Sequence, residues 1–183
     1  MMANAIAVAV DRPPAAVAWD PAAPPAWDPV VPPLAGGPGR VAELAAWLAA
    51  RVDVPDLTPA RAADRLLGRG PGLTPEGDDV LGGAAVAARA LGPAAGAPPE
   101  RVAALVAALC PADAPARTGA LSATLLALAA DGAGPEPAHR LVHGADREGA
   151  LADLSRLGSS TGRAFAAGIA LGARFLIEGT GAG

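Results

Sequence analysis

Gly68-Arg69-Gly70-Pro71-Gly72-Leu73-Thr74-Pro75-Glu76-Gly77-Asp78-Asp79 opens the part of the chain that decides the fold. Alternate glycines make a loop whose backbone can approach another group closely. Thr74-Pro75 then has the chemistry of a helix start, a hydroxyl followed by a residue already held at helical φ. The small and apolar residues beyond it predict a helix over residues 75–90, closed by Leu91-Gly92-Pro93. Gly82 and Gly83 stand one turn after Asp78 and Asp79, so a neighbouring helix can come close beside the two carboxylates.

The same pattern repeats on both sides. Val41, Leu44, Ala45, Leu48 and Ala49 share one face of a helix over residues 40–52. Thr58-Pro59 starts the next helix, which ends at Leu66-Leu67-Gly68. Further helices are predicted over residues 98–109, 114–130, 136–142, 147–157 and 161–177. Gly168 and Gly172, at helical spacing, predict that the last helix lies against the one bearing Gly82 and Gly83. The fold class is mainly α, a compact alanine- and glycine-rich bundle spanning residues 39–178.

Residues 1–38 read differently. Residues 5–10 and 15–19 have the composition of two short strands, separated by Asp11-Arg12-Pro13-Pro14. The prolines between residues 21 and 38 exclude a helix there. A short β-hairpin-like and proline-rich segment is expected. Two strands alone are marginal, so this segment needs a surface to pack on. The glycine-rich end, residues 179–183, should fray into a disordered tail.

Composition removes several mechanisms. The chain has 183 residues, and all 14 of its basic residues are arginine. It contains no lysine, tyrosine or glutamine, and its one cysteine is Cys110. A lysine-tipped phosphate loop, a Schiff-base lysine, a zinc site of several cysteines and an internal disulfide are therefore excluded. A net charge of −4 and 3% aromatics argue against nucleic-acid partners. No apolar run approaches the ~20 residues of a membrane span, so a cytoplasmic protein without membrane partners is expected.

Three stretches can carry chemistry. In the first, Gly70, Gly72 and Thr74 precede Glu76, Asp78 and Asp79. The carboxylates suit a divalent cation, a substrate amide or guanidinium, or the positive end of the helix itself. In the second, Gly158-Ser159-Ser160-Thr161-Gly162-Arg163, the hydroxyls can cap the last helix or, with Arg163, hold a phosphate or carboxylate. In the third, Thr118 and Ser122 share a helix face beside Arg117, another potential anion ligand. Hydroxyls so placed more often bond the preceding turn. His139 and His143 are spaced to share a metal, although a surface role suits them better. Cys110 reads as a small apolar group rather than a nucleophile.

These three stretches resemble the AllH-like family, whose namesake is a subunit of the oxamate carbamoyltransferase complex of anaerobic allantoin breakdown. The resemblance rests first on Gly68 through Asp79 with Gly82, then on Arg117, Thr118 and Ser122, and then on Gly158 to Gly162. It covers roughly residues 40–177. It implies carbamoyl transfer between a small ureido-carboxylate substrate and phosphate, in purine or allantoin nitrogen catabolism, with partner subunits or a homo-oligomer. On this reading residues 1–38 are the remnant of an N-terminal barrel. Asp78 and Asp79 are the candidate catalytic pair, and hold a divalent cation if there is one. Gly70, Gly72, Thr74, Arg117, Ser122, Ser160, Thr161 and Arg163 are the candidate substrate and anion ligands, gathered around one cleft. The pattern differs at Ser159 and Ala164, where the resemblance leads one to expect a histidine and an acidic residue. Two other readings stand beside it. One is a metal-dependent helical hydrolase, similar to the ADP-ribosyl hydrolases, needing a second acidic cluster such as Asp146, Glu148 and Asp153. The other is a non-catalytic subunit.

Overall fold

The computed structural model describes residues 28–144 and 146–179. The strands expected over residues 5–10 and 15–19, and the tail from residue 180, lie outside the described residues. Within them the chain forms nine helices: α1 (Pro38–Ala49), α2 (Pro59–Leu66), α3 (Glu76–Leu91), α4 (Pro99–Leu109), α5 (Ala114–Arg117), α6 (Ala120–Ala130), α7 (Glu136–His143), α8 (Arg147–Leu154) and α9 (Thr161–Glu178). The protein is mainly α, as its periodicity implies.

α3 and α9 form the centre. α3 buries all of its residues except Glu76 and Arg89. It can do so because it carries alanine and glycine where most helices carry bulk. A Cβ at Gly83 would collide with the Phe165 carbonyl oxygen, and one at Gly168 would collide with the Val80 carbonyl oxygen. A Cβ at Gly172 would lie 2.5 Å from the Ala84 carbonyl oxygen. The two backbones therefore touch directly, and the pairing expected of Gly168 and Gly172 is present. Gly82 is different: a Cβ there would find only Ala129 and Phe165 side-chain atoms at 3.6 Å, an ordinary contact. Gly83, not Gly82, makes the close approach.

The other helices cover this pair. α1 packs on α9, while α2, α4 and α6 pack on α3, and α7 and α8 pack on each other. Leu44, Leu48, Leu81, Leu91, Leu109, Leu141, Leu154, Ile169, Leu171 and Leu176 supply the fully buried bulk. Before α1, residues 28–34 run over the surface as an extended strap. Val31 donates to the Gly132 carbonyl at 3.0 Å, Gly134 to the Pro29 carbonyl at 2.8 Å, and Leu34 to the Ala90 carbonyl at 2.7 Å. Val30 and Ala133 form an isolated antiparallel bridge.

The helix expected over residues 114–130 is two helices. Thr118 has φ −140° and ψ 176°, an extended conformation that ends α5, and α6 restarts after Gly119. The break frees the Thr118 side chain to leave the helix surface and reach Asp78. Thr74 does not cap α3 either: its N-cap position is Pro75, and the first-turn Gly77 N–H is satisfied by the Arg69 carbonyl at 2.9 Å.

Candidate functional site

Asp78 joins two of the three motif stretches. Its side chain is buried, and it accepts hydrogen bonds from three donors. Gly68 N–H donates to Oδ1 at 2.7 Å. Thr118 and Ser122 hydroxyls donate to Oδ2 at 2.5 and 2.6 Å. The local sequence explains this convergence. Gly68 takes φ +70°, and a Cβ there would strike the Arg117 carbonyl oxygen, so only glycine lets the loop press against the α5–α6 break. Charge-assisted bonds of this length are strong, and they leave the carboxylate well satisfied. Thr118 and Ser122 thus bond across to α3 rather than back to their own turn. Thr124 is the hydroxyl that does the latter, donating to the Ala120 carbonyl at 2.9 Å.

Asp79 has the opposite character. It is 8% exposed, and its Oδ2 is buried with no hydrogen-bond partner. Burial pushes its carboxyl up to about 6; the Thr161 hydroxyl opposes that rise, and the charges of Asp78 and Glu76 add to it. Such a group changes protonation close to neutral pH, which is what proton transfer needs. Asp79 lines a cavity of about 370 Å³. Asp78, Ser122 and Thr161 share its floor, and Leu125, Leu126, Leu154 and Phe165 are among its apolar walls. Asp78, Asp79, Ser122 and Thr161 are its polar side chains, so a ligand's side-chain polar contacts there fall to these four.

A second concavity of about 540 Å³ is more polar, with Arg69, Arg163, Ser159, Ser160, Glu76 and Asp53 around it. The two do not share a lining residue. Residues 76, 77 and 80 of α3 and 163, 164 and 167 of α9 face the polar one. Residues 78, 79 and 82 of α3 and 161, 162 and 165 of α9 face the Asp79 cavity. The crossed helix starts form a wall, and each helix shows one face to either side.

The candidate residues are therefore divided. Asp78, Asp79, Ser122 and Thr161 meet at the first cavity, and Gly70, Ser160 and Arg163 line the second. Thr74 stands at the edge, its hydroxyl 3.4 Å from that of Thr161. Gly72 is exposed and lines neither. Arg117 also lies outside both: it pairs with Asp64 at 3.3 Å and Asp113 at 3.7 Å and donates to the Ala63 carbonyl. Arg69, read only as a residue between two loop glycines, is a cation of the polar concavity that the sequence reading missed. The apolar walls were missed as well, because nothing in α6 or α8 marks a cavity lining.

The remaining candidates have structural partners. His139 and His143 each place Nε2 against a strap carbonyl, Pro29 O at 3.2 Å and Pro32 O at 3.0 Å. A carbonyl can only accept, so Nε2 carries the proton in both. Burial pushes the Cys110 thiol up to about 12, which keeps it inert. Asp146 caps α8 through the Gly149 N–H, Glu148 pairs with Arg51, and Asp153 pairs with Arg140 and Arg156. Hydrogen bonding from Arg140 holds the Asp153 carboxyl below its ordinary range. Among the described residues no three His, Cys, Asp or Glu side chains gather in a metal-binding group. No helix among them is long and apolar enough to cross a membrane.

These features define a class: an all-helical domain whose glycine-spaced central pair buries one satisfied and one unsatisfied carboxylate beneath an apolar cavity. The chain belongs to the family described as oxamate carbamoyltransferase subunit AllH, whose model matches residues 66–173. That span runs from the end of α2 through most of α9 and contains all three motif stretches. No curated protein and no solved structure matches the chain.

Proposed function

We propose that the protein is a subunit of an oxamate carbamoyltransferase-type enzyme. It would work with partner chains, as the family's description implies, on a small ureido-carboxylate substrate and phosphate in purine or allantoin nitrogen catabolism. The observation that carries the reading is the unpartnered Oδ2 of Asp79, buried in a cavity whose other groups are mostly apolar. A ureido or amide N–H is the donor this oxygen lacks. Binding it removes the cost of an unsatisfied buried acceptor, about 1–3 kcal/mol.

In carbamoyl transfer to phosphate, a phosphate oxygen forms a bond to the ureido carbonyl carbon. The bond from that carbon to the departing amide nitrogen breaks, and the nitrogen must gain a proton. Asp79 is suited to supply or relay that proton near neutral pH, with Thr161 as its positioning partner. Asp78, held by its three donors, fixes the first turn of α3. Ser160 and Arg163, joined by Arg69, are suited to the anionic group. A ligand engaging both sides of the wall would pass over the Thr74–Thr161 pair.

The test is calorimetric titration of the full chain with oxalurate and with phosphate, alone and together. Heat of binding that disappears in Asp79→Asn, with the fold intact by circular dichroism, is the expected result. Equal affinity in the variant would remove Asp79 from the site.

A further inference from the structure

The polar concavity holds charges of both signs that have not paired. Arg69 and Arg163 line it, and so do Asp53 and Glu76. None of these four side chains makes an ion pair or hydrogen bond with another described residue. Elsewhere among the described residues, opposite charges about one turn apart do pair: Arg117 with Asp113, Arg140 with Glu136, Arg156 with Asp153 and Arg174 with Glu178. The Ser160 hydroxyl lines the same concavity, and although Ser160 is the N-cap of α9 its side chain makes no capping bond.

The backbone holds these groups in place. Arg69 N–H donates to the Leu66 carbonyl at 2.9 Å, and the Arg69 carbonyl accepts from Gly77 N–H at 2.9 Å. Arg69 is thereby pinned beside the start of α3, where Glu76 is the first residue. Arg163 stands in the first turn of α9. A Cβ at the adjoining Gly162 would strike the Leu154 carbonyl oxygen, so that turn is pressed against the end of α8. An exposed ion pair gains little over two hydrated charges, so leaving the four unpaired costs the fold little. Two positive and two negative side chains sum to zero. A simple anion therefore meets two attractions and two repulsions, and so does a simple cation. A ligand that carries both charges can set each beside its opposite, with charge-assisted hydrogen bonds at both ends.

We propose that the polar concavity binds a small zwitterion, with its anionic group on Arg69, Arg163 and Ser160 and its cationic group on Asp53 and Glu76. A guanidinium is the best matched cation, because its planar N–H groups fit a carboxylate two at a time. A concavity of about 540 Å³ has room for both ends and a short spacer. The proposal concerns this side of the wall alone. It does not depend on what Asp79 binds, and its failure leaves that reading standing.

The test is calorimetric titration of the full chain with the ω-guanidino acids from guanidinoacetate to γ-guanidinobutyrate, each beside the alkanoate and the alkylguanidinium of the same length. At least one member of the series is expected to bind roughly tenfold tighter than either single-charge counterpart. Glu76→Gln and Arg163→Gln should each weaken that member roughly tenfold, while Glu76→Asp, which keeps the charge, retains most of the affinity. Circular dichroism monitors the fold. A series in which no member outbinds its single-charge counterparts overturns the proposal. So does tight binding that survives both glutamine substitutions, which would place the ligand elsewhere on the protein.

Discussion

Asp79→Asn separates the cost of the site from the stability of the fold. In the folded protein, burial holds the Asp79 carboxyl at about 6. In the unfolded chain an aspartate titrates near ~3.9. The folded state therefore binds the proton more tightly. Between those two values the stability falls as pH rises, because the unfolded chain loses its proton first. Above about pH 6 both states are ionised and the deficit is constant. A difference of about two pH units at ~1.4 kcal/mol each corresponds to about 3 kcal/mol. Asparagine keeps the shape and one acceptor oxygen but carries no charge at any pH. The variant should equal the parent near pH 4 and exceed it by about 2–3 kcal/mol near pH 8. Urea unfolding followed by circular dichroism across that range measures the difference directly. An asparagine variant that is less stable at high pH, or a difference that does not change with pH, would refute the burial argument. Asp79 would then be an ordinary solvated carboxylate.

Asp78→Ala should act in the other direction. It strands the Gly68 N–H and the Thr118 and Ser122 hydroxyls, and a loss of about 3–5 kcal/mol by chemical unfolding is expected. Ser122→Ala alone should cost about 1–2 kcal/mol, since its removal leaves the carboxylate with two donors. Gly168→Ala should cost about 3 kcal/mol, since the added methyl meets the α3 backbone, whereas Gly82→Ala should be near neutral in stability. Thermal or urea unfolding of the two glycine variants side by side checks the contrast. Its reversal would mean that α3 and α9 do not cross as described.

Helices were legible because their signals are local. Prolines at 59 and 99 stand at the first position of their helices, and Gly92 and Gly179 stand at the C-caps; Pro38 also opens its helix, although the proline-rich run up to it reads as excluding one. Even the α3–α9 pairing could be read, from glycines at helical spacing. The break at Thr118–Gly119 could not. Alanine-rich sequence favours continuing the helix, although Gly119 is a weak local break signal; the extended Thr118 before it places its hydroxyl on the buried Asp78 carboxylate. The same limit applies at the site. Asp78 and Asp79 are neighbours with identical chemistry, and sequence treats them as a pair.

The sequence by itself determined that this is an alanine- and glycine-rich helical protein. It also excluded lysine, tyrosine and paired-cysteine chemistry, and it pointed to the family. Those conclusions depend on residue types and on spacing within one element. Only the tertiary structure decided which carboxylate is satisfied and which is free, because the donors to Asp78 come from α6 and from the loops before α3 and before α6. It also decided that the candidate ligands face two sides of one wall. Consecutive residues on a helix point roughly 100° apart, so Ser160 and Thr161, or Gly77 and Asp78, are adjacent in sequence yet open onto different cavities.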